Sequence, residues 1–115
     1  MIKRIQPGTR LSGAVVHGDT VYVSGQVPDD TSEGVPGQTR QVLAKIDALL
    51  AEAGTDKSKV LWANVWLSDI ATFNEMNKVW DGWLAPGCAP ARATVEANLA
   101  TPQIRVEIAC VAAVG

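Results

Sequence analysis

The sequence predicts an α+β fold, a two-layer sandwich with two helices on one face of a mixed sheet. Three observations predict it. Two segments carry apolar stripes at helical spacing, and several others alternate apolar and polar residues with a period of two. These segments interleave in the order β-β-α-β-α-β-β, with a further short strand expected at Lys3 to Gln6. With 115 residues the chain fits one domain, residues 1–115, and leaves no room for a second.

"GAVVHGDTVYVSGQV" reads as a hairpin: Ala14 to Val16, a turn around His17-Gly18-Asp19, then Thr20 to Ser24. The only histidine, His17, sits on that turn, where solvation rather than base catalysis is expected. "DDTSEGVPG" is a polar loop. In "QTRQVLAKIDALLAEAG", Val42, Ile46, Leu49, Leu50 and Ala53 form one buried helical stripe, and Gly54 stops the helix. "KVLWANVWLSD" alternates, with Leu61, Ala63, Val65 and Leu67 on one face and Val60, Trp62, Asn64 and Trp66 on the other. "SDIATFNEMNKVWDGWL" returns to helix. Ser68 or Asp69 can cap it, and Phe73, Met76, Trp80 and Trp83 make its stripe. After the break "APGCAP", "PARATVEANL" is a strand with Arg92, Thr94, Glu96 and Asn98 on one side. A turn at Ala100 to Gln103 leads to a final strand, "IRVEIACVAAV", and the two are expected to form a hairpin.

With both helices on one face, the other face of the sheet lacks cover. It carries Trp62, Trp66 and small apolar residues, too apolar to leave wet. Packing against copies of the same chain is therefore expected. The alternative is that the helices cover the tryptophans and the monomer is complete.

Composition narrows the function. Hydrophobic residues make up 47% and charged residues 19%, as in a globular chain. Twelve acidic residues against ten basic ones, with no basic stripe, argue against nucleic-acid binding. No targeting segment or membrane span is expected, so the cytoplasm is the default location. Cys88 and Cys110 form no CxxC pair and read as reduced thiols. With one histidine, a metal site is not expected.

Arg92 and Glu107 are both expected on the face turned to neighbouring copies. A guanidinium near such a surface needs a partner or a ligand, because desolvating it alone is costly. Two readings stay open: an ordinary ion pair, for example with Glu96, or an anchor for a small carboxylate. In the expected hairpin Glu96 would face Glu107, so either an arginine relieves the repulsion or one carboxyl stays protonated. At Ser24-Gly25 a glycine permits close approach of a ligand, or marks a bulge or strand exit. No GxSxG, Walker-type or HExxH motif is present, and Ser24 has no histidine partner in sequence.

Together, "VYVSGQVP", the first helix, "VWLSDIATFNEMNKVW" and "APARATVEANLATPQIRVEIACVA" resemble the Rid family, the reactive-intermediate/imine deaminases also called the YjgF group. The resemblance covers nearly the whole length and is most specific in PAR, VE and VEI at the end. It implies a chorismate-mutase-like fold and a homotrimer with sites between subunits. It implies hydrolysis of reactive 2-imino acids or their enamine tautomers to 2-keto acids and ammonia, with no metal or cofactor. By position, Arg92 matches the arginine that clamps the substrate carboxylate, and Glu107 the glutamate that orients water. Ser24 and Gly25 match the pocket-lining loop, Thr94 stands where many members have cysteine, and Asn77 matches a supporting asparagine on the second helix.

The chain also departs from the pattern. Leu11 falls where deaminase members carry a pocket tyrosine, and Ala109 replaces a second glutamate. These features resemble a side branch of the family. Three activities therefore stand as expectations: imine hydrolysis; a trimer that binds small carboxylates or keto acids without turnover; and ribonuclease or translation inhibition, which the acidic balance disfavours.

Overall fold

The computed structural model describes residues 1–115. Six strands and two helices follow one another: β1 (Ile2–Pro7), β2 (Ser12–His17), β3 (Thr20–Gln26), α1 (Val35–Glu52), β4 (Val60–Leu67), α2 (Phe73–Trp83), β5 (Ala91–Glu96) and β6 (Val106–Ala113). They form one mixed sheet in the order β1-β2-β3-β6-β4-β5. All neighbours are antiparallel except β4 and β5, which run parallel because α2 carries the chain back across the sheet.

The expected two-layer sandwich is observed. Val21, Val23, Ala63, Val65, Leu67, Val106, Ile108 and Cys110 on the sheet close against Val42, Leu43, Ile46, Leu50, Met76 and Trp80 on the helices. The period-two reading of the last strand holds from Ile104 through Ala112, where alternate residues are buried. β2 and β3 pair from His17 to Thr20 around a tight turn, and Gly18 takes a φ of 62° there. His17 is exposed, as a turn histidine should be. Helix α1 begins earlier than expected, with Pro36 in its first turn, because proline's fixed φ suits the start of a helix. Asp69 caps a short 3-10 turn at Ile70–Thr72 by accepting from the Ala71 amide, and α2 follows it.

Three expectations need correction. First, β5 and β6 are not a hairpin: β4 lies between them. The register pairs Leu67 with Glu96 and Trp66 with Glu107. Since neighbouring residues on a strand point to opposite faces, Glu96 and Glu107 lie on opposite sides of the sheet and do not repel as facing partners. Second, the register shifts between Val60 and Trp62. This bulge turns Val60 into the core and leaves Leu61 exposed, reversing the expected faces of those two residues. Third, Arg92 pairs with the buried Ala63, and so lies on the helix side of the sheet while Glu107 lies on the open side.

The open side is apolar. One row across it runs Val15, Tyr22, Val111, Trp62 and Ala91, joined through successive strand registers. Tyr22, Leu61, Trp62 and Val95 are all exposed in the isolated chain. No helix is long and apolar enough to cross a membrane.

Candidate functional site

Arg92 enters from β5 at the edge of the sheet and reaches under α2. Its Cζ stands 5.0 Å from the centre of the Trp80 ring and 5.7 Å from that of Phe73. Its Nη1 is 4.0 Å from the Met76 sulfur. Phe73, Asn77 and Trp80 follow i, i+4, i+7 spacing, so Asn77 shares the helix face that meets the arginine. Burial lowers the Arg92 pKa from its ordinary value, and the Asp81 charge acts against that shift.

No carboxylate answers this guanidinium. The one ion pair within the chain joins Lys45 to Asp29. Glu96, a candidate partner in sequence, instead accepts from the Ile70 amide at 3.0 Å. Arg92 is therefore a partly buried cation held by ring faces and a thioether, with its hydrogen-bonding fork unused by any acid. Thr94, two residues along on the same face of β5, has a buried Oγ1 without a hydrogen-bond partner.

Glu107 and the Ser24-Gly25 segment form a second cluster. The β3–β6 register shifts between Val23 and Gln26, so a bulge lifts Ser24 and Gly25 out of the regular ladder. A side chain on Gly25 would collide with the Glu107 carboxyl group. The Ser24 hydroxyl donates to the Gly13 carbonyl at 3.0 Å, and Gln26 Nε2 donates to the Ser24 carbonyl and hydroxyl. With its proton committed to the main chain, Ser24 is built as a scaffold rather than a nucleophile.

Within one chain these clusters do not meet. Arg92, Thr94 and Asn77 gather between β5 and α2; Ser24, Gly25 and Glu107 gather at the bulge on the central strands, with Glu107 on the other face. Leu11 is exposed in the connection between β1 and β2, where Gly8 donates to its carbonyl.

In the sequence Phe73, Met76 and Trp80 read only as a buried helical stripe. They are also the cradle of Arg92, and an arginine at strand spacing opposite an aromatic helical stripe was the available signal. Gln38, a polar residue with no motif around it, is fully buried in α1. Its Nε2 donates to the Thr31, Glu33 and Gln103 carbonyls, and its Oε1 accepts from the Arg105 amide. Gln38 thus fixes the chain just before β6 and Glu107.

A cavity of about 660 Å³ forms a groove between α1 and α2, lined by Arg40, Leu43, Asp47, Lys78, Val79 and Trp83 among others. It does not include Arg92 or Glu107. Trp83 and Asp47, from facing helices, are joined across it: Trp83 donates Nε1 to the Asp47 carboxylate at 3.1 Å.

Comparison with known proteins gives this arrangement a family. The family model described as Endoribonuclease L-PSP matches residues 1–114. A RutC family protein of Haemophilus ducreyi is 46% identical over 114 residues, covering 99% of this chain and 97% of the relative. The crystal structure of NMB1025, a YjgF family member from Neisseria meningitidis, is 45% identical with a TM-score of 0.97, covering 100% of this chain and 96% of that one. A Rid family protein from Yersinia pestis is 29% identical with a TM-score of 0.91, covering 99% and 100%. The sheet, the helices and these likenesses are those of the chorismate-mutase-like α+β fold, and the chain belongs to the YjgF/RutC/Rid family.

Proposed function

We propose that this chain, as a single domain of residues 1–115, is a cofactor-independent imine hydrolase. It converts reactive 2-imino acids or their enamine tautomers to 2-keto acids and ammonia, as a homotrimer in the cytoplasm. The observation that carries this reading is Arg92: a partly buried guanidinium, flanked by two aromatic rings, in no ion pair with an acid of its own chain. A small carboxylate is the ligand whose geometry fits that fork in two parallel hydrogen bonds.

Two features support assembly of copies, and the family resemblance gives their number as three. The open sheet face, with Tyr22, Trp62 and Val95 exposed, gains by covering itself with copies. Arg92 and Glu107 occupy opposite faces, so they serve one reaction only when the arginine of one subunit meets the glutamate of the next. In that arrangement Arg92 holds the substrate carboxylate and the partner subunit's Glu107 orients a water molecule. Water adds to the C=N carbon, its proton passes to nitrogen, and the tetrahedral carbinolamine forms. Collapse breaks the C–N bond, releases ammonia and leaves the keto acid. Catalysis is positioning and polarisation, with the glutamate relaying a proton.

The test generates 2-iminopropanoate with an amino-acid oxidase and follows its decay. Wild type should hasten the decay and Arg92→Ala should not; equal rates would reject the activity.

A second reading is a trimer that binds keto acids without turnover. It is favoured by Leu11, an exposed aliphatic side chain at the position to which the resemblance assigns a pocket tyrosine. Saturable keto-acid binding without imine decay would select it. Ribonuclease action, which the family model's description suggests, is disfavoured by the acidic balance, and RNA left intact by purified protein would exclude it.

A further inference from the structure

Arg92 is held without an acid, and what holds it is aromatic. The Trp80 ring is the nearer of its two aromatic neighbours and is 5% exposed, so water reaches the contact only from the side of the partly buried arginine. Trp80 is itself fixed. Its ring centre lies 5.4 Å from that of Trp83 at an interplanar angle of 44°. The Trp83 indole N–H is tied to both Asp47 oxygens on α1, and Lys57 stands over the far ring at 5.6 Å. The chain of contacts Asp47–Trp83–Trp80–Arg92 thus runs from the first helix to the guanidinium.

The one acid on the same face of β5 is Glu96, four residues or about 13 Å of strand away. That carboxylate is turned to the Ile70 amide instead. An aromatic face attracts the cation but accepts none of its N–H groups in the plane of the fork. It therefore fixes the position of Arg92 while leaving its donors free of any acid, with only Nη1 near the weakly accepting Met76 sulfur, which an Asp or Glu neighbour would not do.

We propose that Trp80 is a positioning residue for anion binding: its ring holds the Arg92 guanidinium in place and substitutes for a carboxylate partner, so that the fork remains free for a carboxylate ligand. This rests on the reading of Arg92 as a carboxylate anchor. It adds that the anchor's affinity is set by an aromatic face that never touches the ligand.

The experiment uses the full chain, with 2-oxobutanoate as the probe, and compares wild type, Trp80→Phe, Trp80→Leu and Arg92→Ala by calorimetry. Leucine retains apolar bulk without a π-face; phenylalanine retains the face. Trp80→Leu should weaken binding roughly tenfold and Trp80→Phe by less than about threefold, as a cation–π contribution requires. In parallel, NMR should find the Arg92 side-chain N–H upfield of those of the four other arginines, through the ring current of Trp80. The shift should largely survive in Trp80→Phe and shrink in Trp80→Leu to what the Phe73 ring alone supplies. A general loss of stability moves neither the NMR signal nor the difference between the two variants in this pattern. If Trp80→Leu does not fold, the wild-type and Trp80→Phe spectra and affinities still decide: an unshifted Arg92 signal, or binding lost in Trp80→Phe, overturns the proposal. Unchanged affinity in a folded Trp80→Leu, with Arg92→Ala still inactive in binding, overturns it and leaves the carboxylate anchor standing. Equal binding by wild type and Arg92→Ala overturns both.

Discussion

The carboxyl group of Glu107 occupies the space that Gly25 leaves by having no side chain. A β-carbon at Gly25 would stand 3.0 Å from Glu107 Cδ and 3.3 Å from its Cγ. Because the colliding group is the end of a flexible side chain, Gly25→Ala should cost less than about 1 kcal/mol of stability. It should nevertheless displace the carboxylate and slow imine decay roughly a hundredfold, since positioning errors of this size are costly in catalysis. Thermal melting and the decay assay, run together, separate the two effects. An unchanged rate would mean that the place of Glu107 beside Gly25 serves no catalytic purpose.

Thr94 carries the opposite expectation. Its Oγ1 is buried and unpaired, so Thr94→Val keeps the shape and removes an unsatisfied polar atom. Stability should rise by about 1 kcal/mol, read as a shift in the urea midpoint at constant slope. A loss of the same size would show that the hydroxyl is satisfied in solution.

Gln38 should be among the most sensitive polar positions. Four main-chain groups, from residues 31, 33, 103 and 105, depend on its amide. Gln38→Leu fits the volume but strands these partners, and should destabilise by about 3 kcal/mol. The same variant should reduce imine decay at temperatures where it remains folded, because the chain entering β6 sets where Glu107 stands. Wild-type stability in this variant would contradict the role given to the amide.

The two thiols should differ sharply. Burial pushes the Cys110 thiol up to about 12 from an ordinary 9.0, so its reactive thiolate is scarce near pH 8. Cys88 is only half-buried, and its Sγ contacts the Pro86 carbonyl at 3.4 Å. A disulfide reagent should titrate one thiol in the native protein and two in denaturant. The sign for stability follows from linkage. Above the unfolded thiol's pKa the unfolded state holds fewer protons than the folded one, so Cys110 makes stability fall as pH rises from about 9 towards about 12. Cys110→Ala should flatten that part of the profile.

Much of the fold was legible because its signals are local. The stripe Val42, Ile46, Leu49, Leu50 and the alternation from Ile104 to Ala112 each record a buried face, and both are buried as read. Strand partnership is not local. Nothing in "PARATVEANL" says that its neighbour is β4, reached through α2, rather than the strand that follows it. The hairpin expectation and the Glu96–Glu107 pairing failed together for that reason. The face of Arg92 was lost the same way: period two separates Arg92 from Ala91 and Ala93 but does not say which set meets the helices. The small alanines, which look like core, are exposed on the open side, and the arginine lies under α2. The bulge at Leu61 shifted one more pair, because a single inserted residue leaves no mark in an apolar run. Of the site, the resemblance supplied the residue types. The strand order and register divide them between two faces.

That division makes subunit complementation the most direct measurement. Arg92→Ala and Glu107→Gln chains are purified, each inactive alone, then unfolded together, refolded and assayed for 2-iminopropanoate decay. The account predicts that the mixture regains activity, because some interfaces then join an intact Arg92 to an intact Glu107. Separately refolded controls should stay inactive. A mixture as dead as its parents, though its chains assemble into mixed oligomers by mass, would contradict a site shared between subunits.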